Sequence, residues 1–255
     1  MLITKIFSKL DIPKKVKVLY RSLPKVILLL FFSAITTLTA QHKKITLEEI
    51  MGGTFQSENL STLRSLNNGK EYSVLNYNSS LNVSTIDVYE YLSGKKVRTL
   101  INSMDLNNVD HIISYEFNED ENKILFTTHL EQIYRRSSRG KYFVYDINSR
   151  KLSLVSENDI QSPYFNAPGN KIAYGFENNI YIKDLSSNTT KQITFDGEKN
   201  RIINGITDWV YEEEFSFVRA FDWNADGTIL AFLRFDETEV PEYSMDIMGN
   251  ELYPT

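Results

Sequence analysis

The chain has 255 residues, 42% of them hydrophobic, 24% charged and 13% aromatic, with a net charge of −5. These are globular proportions, which exclude a disordered tail, a collagen-like repeat and a multi-span membrane protein. Cysteine is absent, so disulfides, zinc–thiolate sites and thiol nucleophiles are excluded as well.

The charge is unevenly spread. Residues 1–25 carry a surplus of +6, residues 26–40 carry no charge, and residues 41–255 hold the remaining −11. An acidic body excludes nucleic acid as a partner, because phosphate binding needs clustered Lys and Arg. Behind the basic stretch, Val26 to Leu38 (VILLLFFSAITTL) is an apolar run, and Thr39-Ala40-Gln41 then opens polar sequence. A positive stretch, a short apolar run and a small residue at the cut make a signal peptide. The run is shorter than the roughly 20 residues of a spanning helix. Residues 1–40 are therefore expected to be a signal peptide cut after Ala40, or a signal anchor retained in the membrane. The mature protein, residues 41–255, is expected in the periplasm.

Thr46 to Met51 reads as a short helix, with Thr46 as cap and Glu49 at the capping-box position. Beyond it come short alternating runs separated by Asn, Asp and Gly turns. Tyr142–Asp146, Ile180–Asp184 and Ile229–Phe235 are examples, and each predicts a strand. Three segments superimpose. Phe117-Asn118 leads to Ile124-Leu125-Phe126, Phe165-Asn166 to Ile172-Ala173-Tyr174, and Trp223-Asn224 to Leu230-Ala231-Phe232. Each is an aromatic, an Asn and a turn, with an aliphatic residue seven positions on. A weaker copy starts at Leu66-Asn67-Asn68-Gly69, and the starts lie 51, 48 and 58 residues apart.

A period near fifty with several strands per unit is the pattern of propeller blades. A β-sandwich shares the short strands but gives no reason for this unit to recur at this spacing. The expected fold is all-β: an incomplete β-propeller, about four blades of a larger one, after an N-terminal signal segment. The last unit reaches MDIMGNELYPT without the strands that would complete it, so the chain reads as cut short.

The densest chemical feature is Asn204 to Phe215 (NGITDWVYEEEF). Its carboxylates sit between Trp209, Tyr211, Phe215 and Phe217, an apolar frame that would lower the local dielectric. Adjacent like charges are tolerable there only if solvent or a cation compensates them. An ammonium group on a ligand is one such cation.

This string, with Asp236 to Pro241 (DETEVP) and blade units such as KIAYGFENNIYIKDL (171–185), resembles the N-terminal propeller of the dipeptidyl peptidase IV group of serine peptidases, in the prolyl oligopeptidase family. The resemblance runs from about Ile45 onward. It implies an exported serine exopeptidase that removes dipeptides with Pro or Ala second. By the same resemblance, Glu213 and Glu214 bind the substrate's α-ammonium, and an upstream Arg that contacts a substrate carbonyl falls at Arg135, with Arg136 and Arg139 close by. The implied partners are peptide N-termini (X-Pro or X-Ala), a C-terminal α/β-hydrolase domain and a second copy of the chain. No cofactor or metal is implied.

The family's chemistry needs a Ser on a nucleophile elbow, followed by Asp and His. No G-x-S-x-G occurs here, and His42, His111 and His129 do not follow a Ser and Asp in that order. No H-E-x-x-H and no Gly-rich phosphate loop is present either. The leading expectation is the recognition portion of a peptidase without its catalytic half. The alternative is a stand-alone exported propeller that binds without catalysis. Purified residues 41–255 should release no dipeptide from a Gly-Pro or Ala-Pro chromogenic substrate. Turnover above a buffer blank would mean that a nucleophile has been overlooked.

Overall fold

The computed structural model describes residues 44–57, 61–107 and 109–242. The apolar run and its presumed cut after Ala40 lie outside these residues. Among the described residues, no helix is long and apolar enough to cross a membrane. The chain divides into two units, Met1–Asn59 and Leu60–Thr255. In the first, α1 (Leu47–Met51) is the expected helix. Thr46 Oγ1 accepts from the Glu49 amide, and Glu49 Oε2 accepts from the Thr46 amide, both at 3.2 Å.

The second unit is a succession of antiparallel meanders. The first sheet is β1 (Leu63–Ser65), β2 (Glu71–Asn78), β3 (Val83–Glu90) and β4 (Lys96–Asn102). The second is β5 (Ser114–Phe117), β6 (Lys123–Gln132), β7 (Ser138–Asp146) and β8 (Lys151–Leu154). The third is β9 (Gln161–Phe165), β10 (Lys171–Phe176), β11 (Asn179–Asp184) and β12 (Thr189–Gln192). Within each, the strands pair in sequence order, as propeller blades do.

Two shorter ladders follow. β13 (Ile202–Asn204) pairs with β16 (Arg234–Asp236), and β14 (Phe221–Trp223) pairs with β15 (Leu230–Phe232). The fold is a partial β-propeller, and among the described residues its sheets do not close into a ring. Ile229–Phe235, expected as one strand, is divided. The Leu233 amide donates to Ala220 and its carbonyl accepts from Gly205, so β15 and β16 face different partners. The run is apolar but for Arg234, and its pairing changes partner halfway.

The core explains why β6 and β10 each carry an unbroken apolar run, Ile124–Phe126 and Ile172–Tyr174. On β6, Ile124 and Phe126 pack with Ile86, Ile101 and Ile112 toward the first sheet. Leu125, between them, packs with Ile160, Phe165, Ile172 and Tyr174 of the third. On β10, Ala173 packs the other way, with Ile206 and Phe221. Along these residues β6 and β10 are therefore buried on both faces, and removing two faces from water leaves no polar alternation.

The recurring Asn has a defined task. Phe117, Phe165 and Trp223 end their strands opposite Ile124, Ile172 and Leu230. The next residue then folds its side chain into the turn. Asn118 Oδ1 accepts from the amides of Asn122 (3.1 Å) and Lys123 (2.7 Å). Asn166 Oδ1 accepts from Asn170 and Lys171, at 3.0 and 2.8 Å. Asn224 Oδ1 accepts from Thr228 and Ile229, at 2.9 and 2.8 Å. In the weak copy Asn68, one position later, accepts from Lys70 and Glu71.

The turns also lean on one another. Asn166 Nδ2 donates to the Gly227 carbonyl at 3.2 Å. Gly227 itself has φ +68°, and a Cβ there would lie 2.6 Å from Pro168 Cδ, so only glycine fits. Asn67 likewise donates, through Nδ2 and its amide, to Glu119 and Glu121 in the following turn.

One carboxyl is placed at a cost. Glu116 on β5 has a buried Oε1 with no hydrogen-bond partner. Burial pushes its carboxyl up to about 7, against the lowering pull of Arg219 and Arg64. Burial of Tyr142, and then the Glu116 charge, push the Tyr142 hydroxyl up to about 12.

Two outcomes are expected. Asn166→Ala should cost about 2–4 kcal/mol in denaturant unfolding, since it strands two turn amides and the Gly227 carbonyl; a loss below 0.5 kcal/mol, on the scale of an ordinary surface change, would show that the turn holds without its side chain. For Glu116 the folded pKa lies above the ordinary 4.5, so the folded state binds the proton more tightly and stability falls as pH rises from about 4.5 to about 7. Glu116→Gln should therefore be more stable than wild type at pH 8, by about 1–3 kcal/mol, with the difference vanishing near pH 4. A pH-independent difference would refute this reading.

Candidate functional site

Between β13 and β14 the chain makes an excursion. Outgoing and returning segments pair through the Ile206–Arg219 bridge. The Thr207 amide donates to Val218 O at 3.0 Å, and Thr207 Oγ1 donates to Phe217 O at 3.1 Å. The stalk is held at its base. Ile206 packs where Gly175 leaves room, a Cβ there lying 2.6 Å from its Cγ1. The Arg219 guanidinium lies 3.4 Å from the centre of the Tyr164 ring.

At the tip is α2 (Trp209–Phe215), a helix where sequence patterning gave only an acidic turn framed by aromatics. Asp208 caps it, its Oδ1 accepting from the Tyr211 amide at 2.8 Å. Ser216 ends it in the left-handed region at φ +62°. The aromatic frame is only partly as expected. The Tyr211 ring lies 5.1 Å from Phe215, 6.2 Å from Phe217 and 4.9 Å from Phe235. Trp209 and Phe215 are largely exposed, so the frame supports the helix from one side and does not enclose the carboxylates.

A helix turns about 100° per residue, so three successive Glu cannot share one surface. Glu212 points inward and is 1% exposed. Its Oε1 accepts from the backbone amides of Arg136 (2.6 Å) and Ser137 (2.9 Å), in the loop between β6 and β7. Burial pushes its carboxyl up, but hydrogen bonds from the Ser137 side chain and from these amides, with the Arg136 charge, outweigh it and hold it below the ordinary value. Glu213 is half-buried, and its Oε2 forms an ion pair with Arg135 Nη1 at 3.3 Å. Glu214 is exposed and takes no part in that pair.

The structure thus brings Arg135 and Glu213 together across the fold and leaves Glu214 facing solvent. It also separates the three neighbouring arginines. Arg139 is engaged by Glu131 through two hydrogen bonds, 2.9 and 2.7 Å. Arg136 contributes its amide and its charge to Glu212, which leaves Arg135 as the one paired with Glu213. Sequence reasoning missed Glu212, because nothing in a run of identical residues says which one turns inward. The signal present was Asp208, a good cap four residues before it.

The DETEVP segment returns to the same region. Asp236 ends β16 and pairs with Arg234 at 3.3 Å. The Glu237 amide donates to Arg201 O at 2.7 Å. Burial, and then the Asp208 charge, push the Glu237 carboxyl up. Arg135 is 72% exposed on its side chain and Glu213 16%. A pair this open adds little to stability, under about 1 kcal/mol. What it offers is a carboxylate and a guanidinium held side by side at a solvent-facing edge. Together they can accept from an ammonium and donate to a carbonyl.

The family model for the dipeptidyl peptidase IV N-terminal region matches residues 118–255, a span that includes both the Arg135 loop and α2. Human prolyl endopeptidase FAP is 29% identical over 220 residues, 83% of this chain and 27% of that protein. Bovine dipeptidyl peptidase 4 is 40% identical over 148 residues, 56% of this chain and 19% of its own length. The crystal structure of Porphyromonas gingivalis dipeptidyl peptidase 4 superimposes with a TM-score of 0.75 at 36% identity, covering 84% of this chain and 31% of the other. The chain spans about a quarter of the length of the curated relatives it matches. Strand order, the Asn-closed turns and a family match over more than half of its length agree: the chain belongs to the dipeptidyl peptidase IV N-terminal region family.

Proposed function

We propose that this chain is the substrate-recognition portion of an exported dipeptidyl peptidase IV-like serine exopeptidase. In this reading it holds the free α-ammonium of a peptide whose second residue is Pro or Ala. The observation that carries the reading is the Arg135–Glu213 pair, formed between residues 78 positions apart on two loops.

The physics of the pair suits the task. Glu213 offers a carboxylate whose guanidinium partner is mobile enough at the surface to turn toward a ligand. Glu214, about 100° further round the helix, offers a second carboxylate to the same ammonium once substrate arrives. Two charge-assisted contacts on one ammonium fix its position. Arg135, released in part, then has donors free for the carbonyl that follows. Such a site measures the peptide from its N-terminus, so a nucleophile at a fixed distance would cut off one dipeptide.

The nucleophile, its base and the oxyanion donors belong, in this proposal, to an α/β-hydrolase domain of a longer protein. Residues 1–40 direct export to the periplasm, and the assembled enzyme pairs with a second copy. Nothing in this scheme requires a metal or cofactor.

The test is binding by the 255-residue chain of Ala-Pro-Ala, against the same tripeptide N-acetylated. The free peptide should bind and the acetylated one bind much more weakly. Glu213→Ala should weaken the free peptide by roughly 10- to 150-fold, the value of about 1.5–3 kcal/mol for a charge-assisted contact. Equal affinity for the two peptides, or wild-type affinity in Glu213→Ala, would leave the acidic run a plain solvated surface.

A further inference from the structure

The ammonium site just proposed is built from two segments far apart in sequence, and something must hold them in register. Arg135 lies on the loop between β6 and β7, and Glu213 on a helix of seven residues, too short to be stable on its own. Their own ion pair is too exposed to fix either one. One other residue on α2 reaches the loop directly: Glu212, through Oε1 to the Arg136 and Ser137 amides. We infer that Glu212 is a positioning residue for the ammonium site, its carboxylate clamping the Arg135 loop against the helix that presents Glu213; this rests on the recognition reading above.

The geometry supports a clamp in three ways. First, the Glu212–Ser137 contact is closed to water. Glu212 is 1% exposed and Ser137 3% exposed, so the Ser137 amide left without this acceptor would find no solvent in exchange. Second, among the described residues the loop's other hydrogen bonds are internal. They run from the Ile133 and Tyr134 amides to Ser137, by the carbonyl at 2.9 and 3.4 Å and by Oγ at 3.2 Å, and from Gln132 Nε2 to the Tyr134 carbonyl. These close the loop on itself but do not tie it to α2. Third, the clamp acts on both partners at once. Arg135 immediately precedes the two held amides, and Glu213 immediately follows Glu212. Fixing Glu212 therefore sets the direction of Glu213 by the helical rotation, and the position of Arg135 by the chain.

A site arranged before its ligand arrives does not lose binding energy in ordering itself. The clamp uses the carboxylate in a way a neutral residue could copy in shape but not in charge. One oxygen accepts from two adjacent amides, while the Arg136 guanidinium offsets its charge. A carbonyl oxygen can accept from both amides too, more weakly. Glutamine should therefore rescue much of the function, and aspartate, one methylene shorter, should not.

Amide hydrogen exchange and peptide binding on the same 255-residue chain test this together. In Glu212→Ala, exchange at Arg136 and Ser137 should rise at least 10-fold, while Ile172 and Ile180 in the strands stay as in wild type. Affinity for Ala-Pro-Ala should fall about 10-fold, approaching that for the N-acetylated peptide, and Glu212→Gln should recover most of both. If Glu212→Ala does not fold, Glu212→Asp carries the same expectation without removing the charge. Unchanged exchange at the two amides, or faster exchange with undiminished preference for the free N-terminus, overturns the positioning role. Glu213→Ala separates this from the reading it rests on: it should abolish the preference while leaving Arg136 and Ser137 protected. If wild type itself does not distinguish the two peptides, the recognition reading fails and takes the positioning role with it. If Glu213→Ala abolishes the preference but Glu212→Asp binds and protects like wild type, Glu212 alone is overturned.

Discussion

An asparagine side chain that accepts two consecutive backbone amides is the constraint from which the rest of the second unit follows. The turn from first to second strand of a blade must reverse the chain within a few residues, and its amides point inward, where no strand is available to take them. Asn118, Asn166 and Asn224 each supply that acceptor. Because the acceptor is a side chain fixed in sequence, the register of the hairpin is fixed with it. Phe117, Phe165 and Trp223 must then face Ile124, Ile172 and Leu230. In β6 and β10 a slip of one residue would exchange the two faces of the strand, and since those faces serve different sheets, both neighbouring cores would be lost. The Nδ2 contact from Asn166 to Gly227 carries the same constraint from one blade to the next.

A frame this repetitive leaves the loops free to differ. Two of them depart from the minimal turn. The hairpin between β6 and β7 is extended by the Arg135 loop, and the link from β13 to β14 grows into a stalk bearing α2. The two meet through Glu212, whose carboxylate accepts from the Arg136 and Ser137 amides. The scaffold makes this workable by fixing the root of the stalk, with Gly175 admitting Ile206 and Tyr164 receiving Arg219.

What the sequence made legible was the part governed by periodicity. The aromatic–Asn–turn unit predicts the blades because one short-range interaction imposes it at each repeat. The capping box at Thr46 is likewise local and was readable. The helix at 209–215 was not, because seven residues made of three aromatics, one Val and three adjacent Glu show no helical period, and its stability comes from Asp208 and from the loop it meets. The division of Ile229–Phe235 was hidden for the opposite reason. Its apolar character is nearly continuous, and only Leu233, whose amide donates to Ala220 and whose carbonyl accepts from Gly205, reveals that two ladders share it. Of the site, family resemblance pointed to Arg135, Glu213 and Glu214 as residues, whereas the pairing of the first two and the inward turn of Glu212 are tertiary facts.

The three glutamates show how a helix separates neighbours that sequence presents as equals. In an extended strand, successive side chains point to opposite faces, so Glu212 and Glu214 would share one face and repel each other. Wound into a helix, the same three residues are spread around the axis. One is buried against amides, one is paired at the edge and one is open to water. Their mutual repulsion falls as they diverge, and each carboxylate is answered by a different group: backbone N–H, guanidinium, solvent. The short helix is thus what makes the acidic run tolerable in the absence of a ligand. It also leaves two of the three charges at the surface, where a ligand cation can reach them.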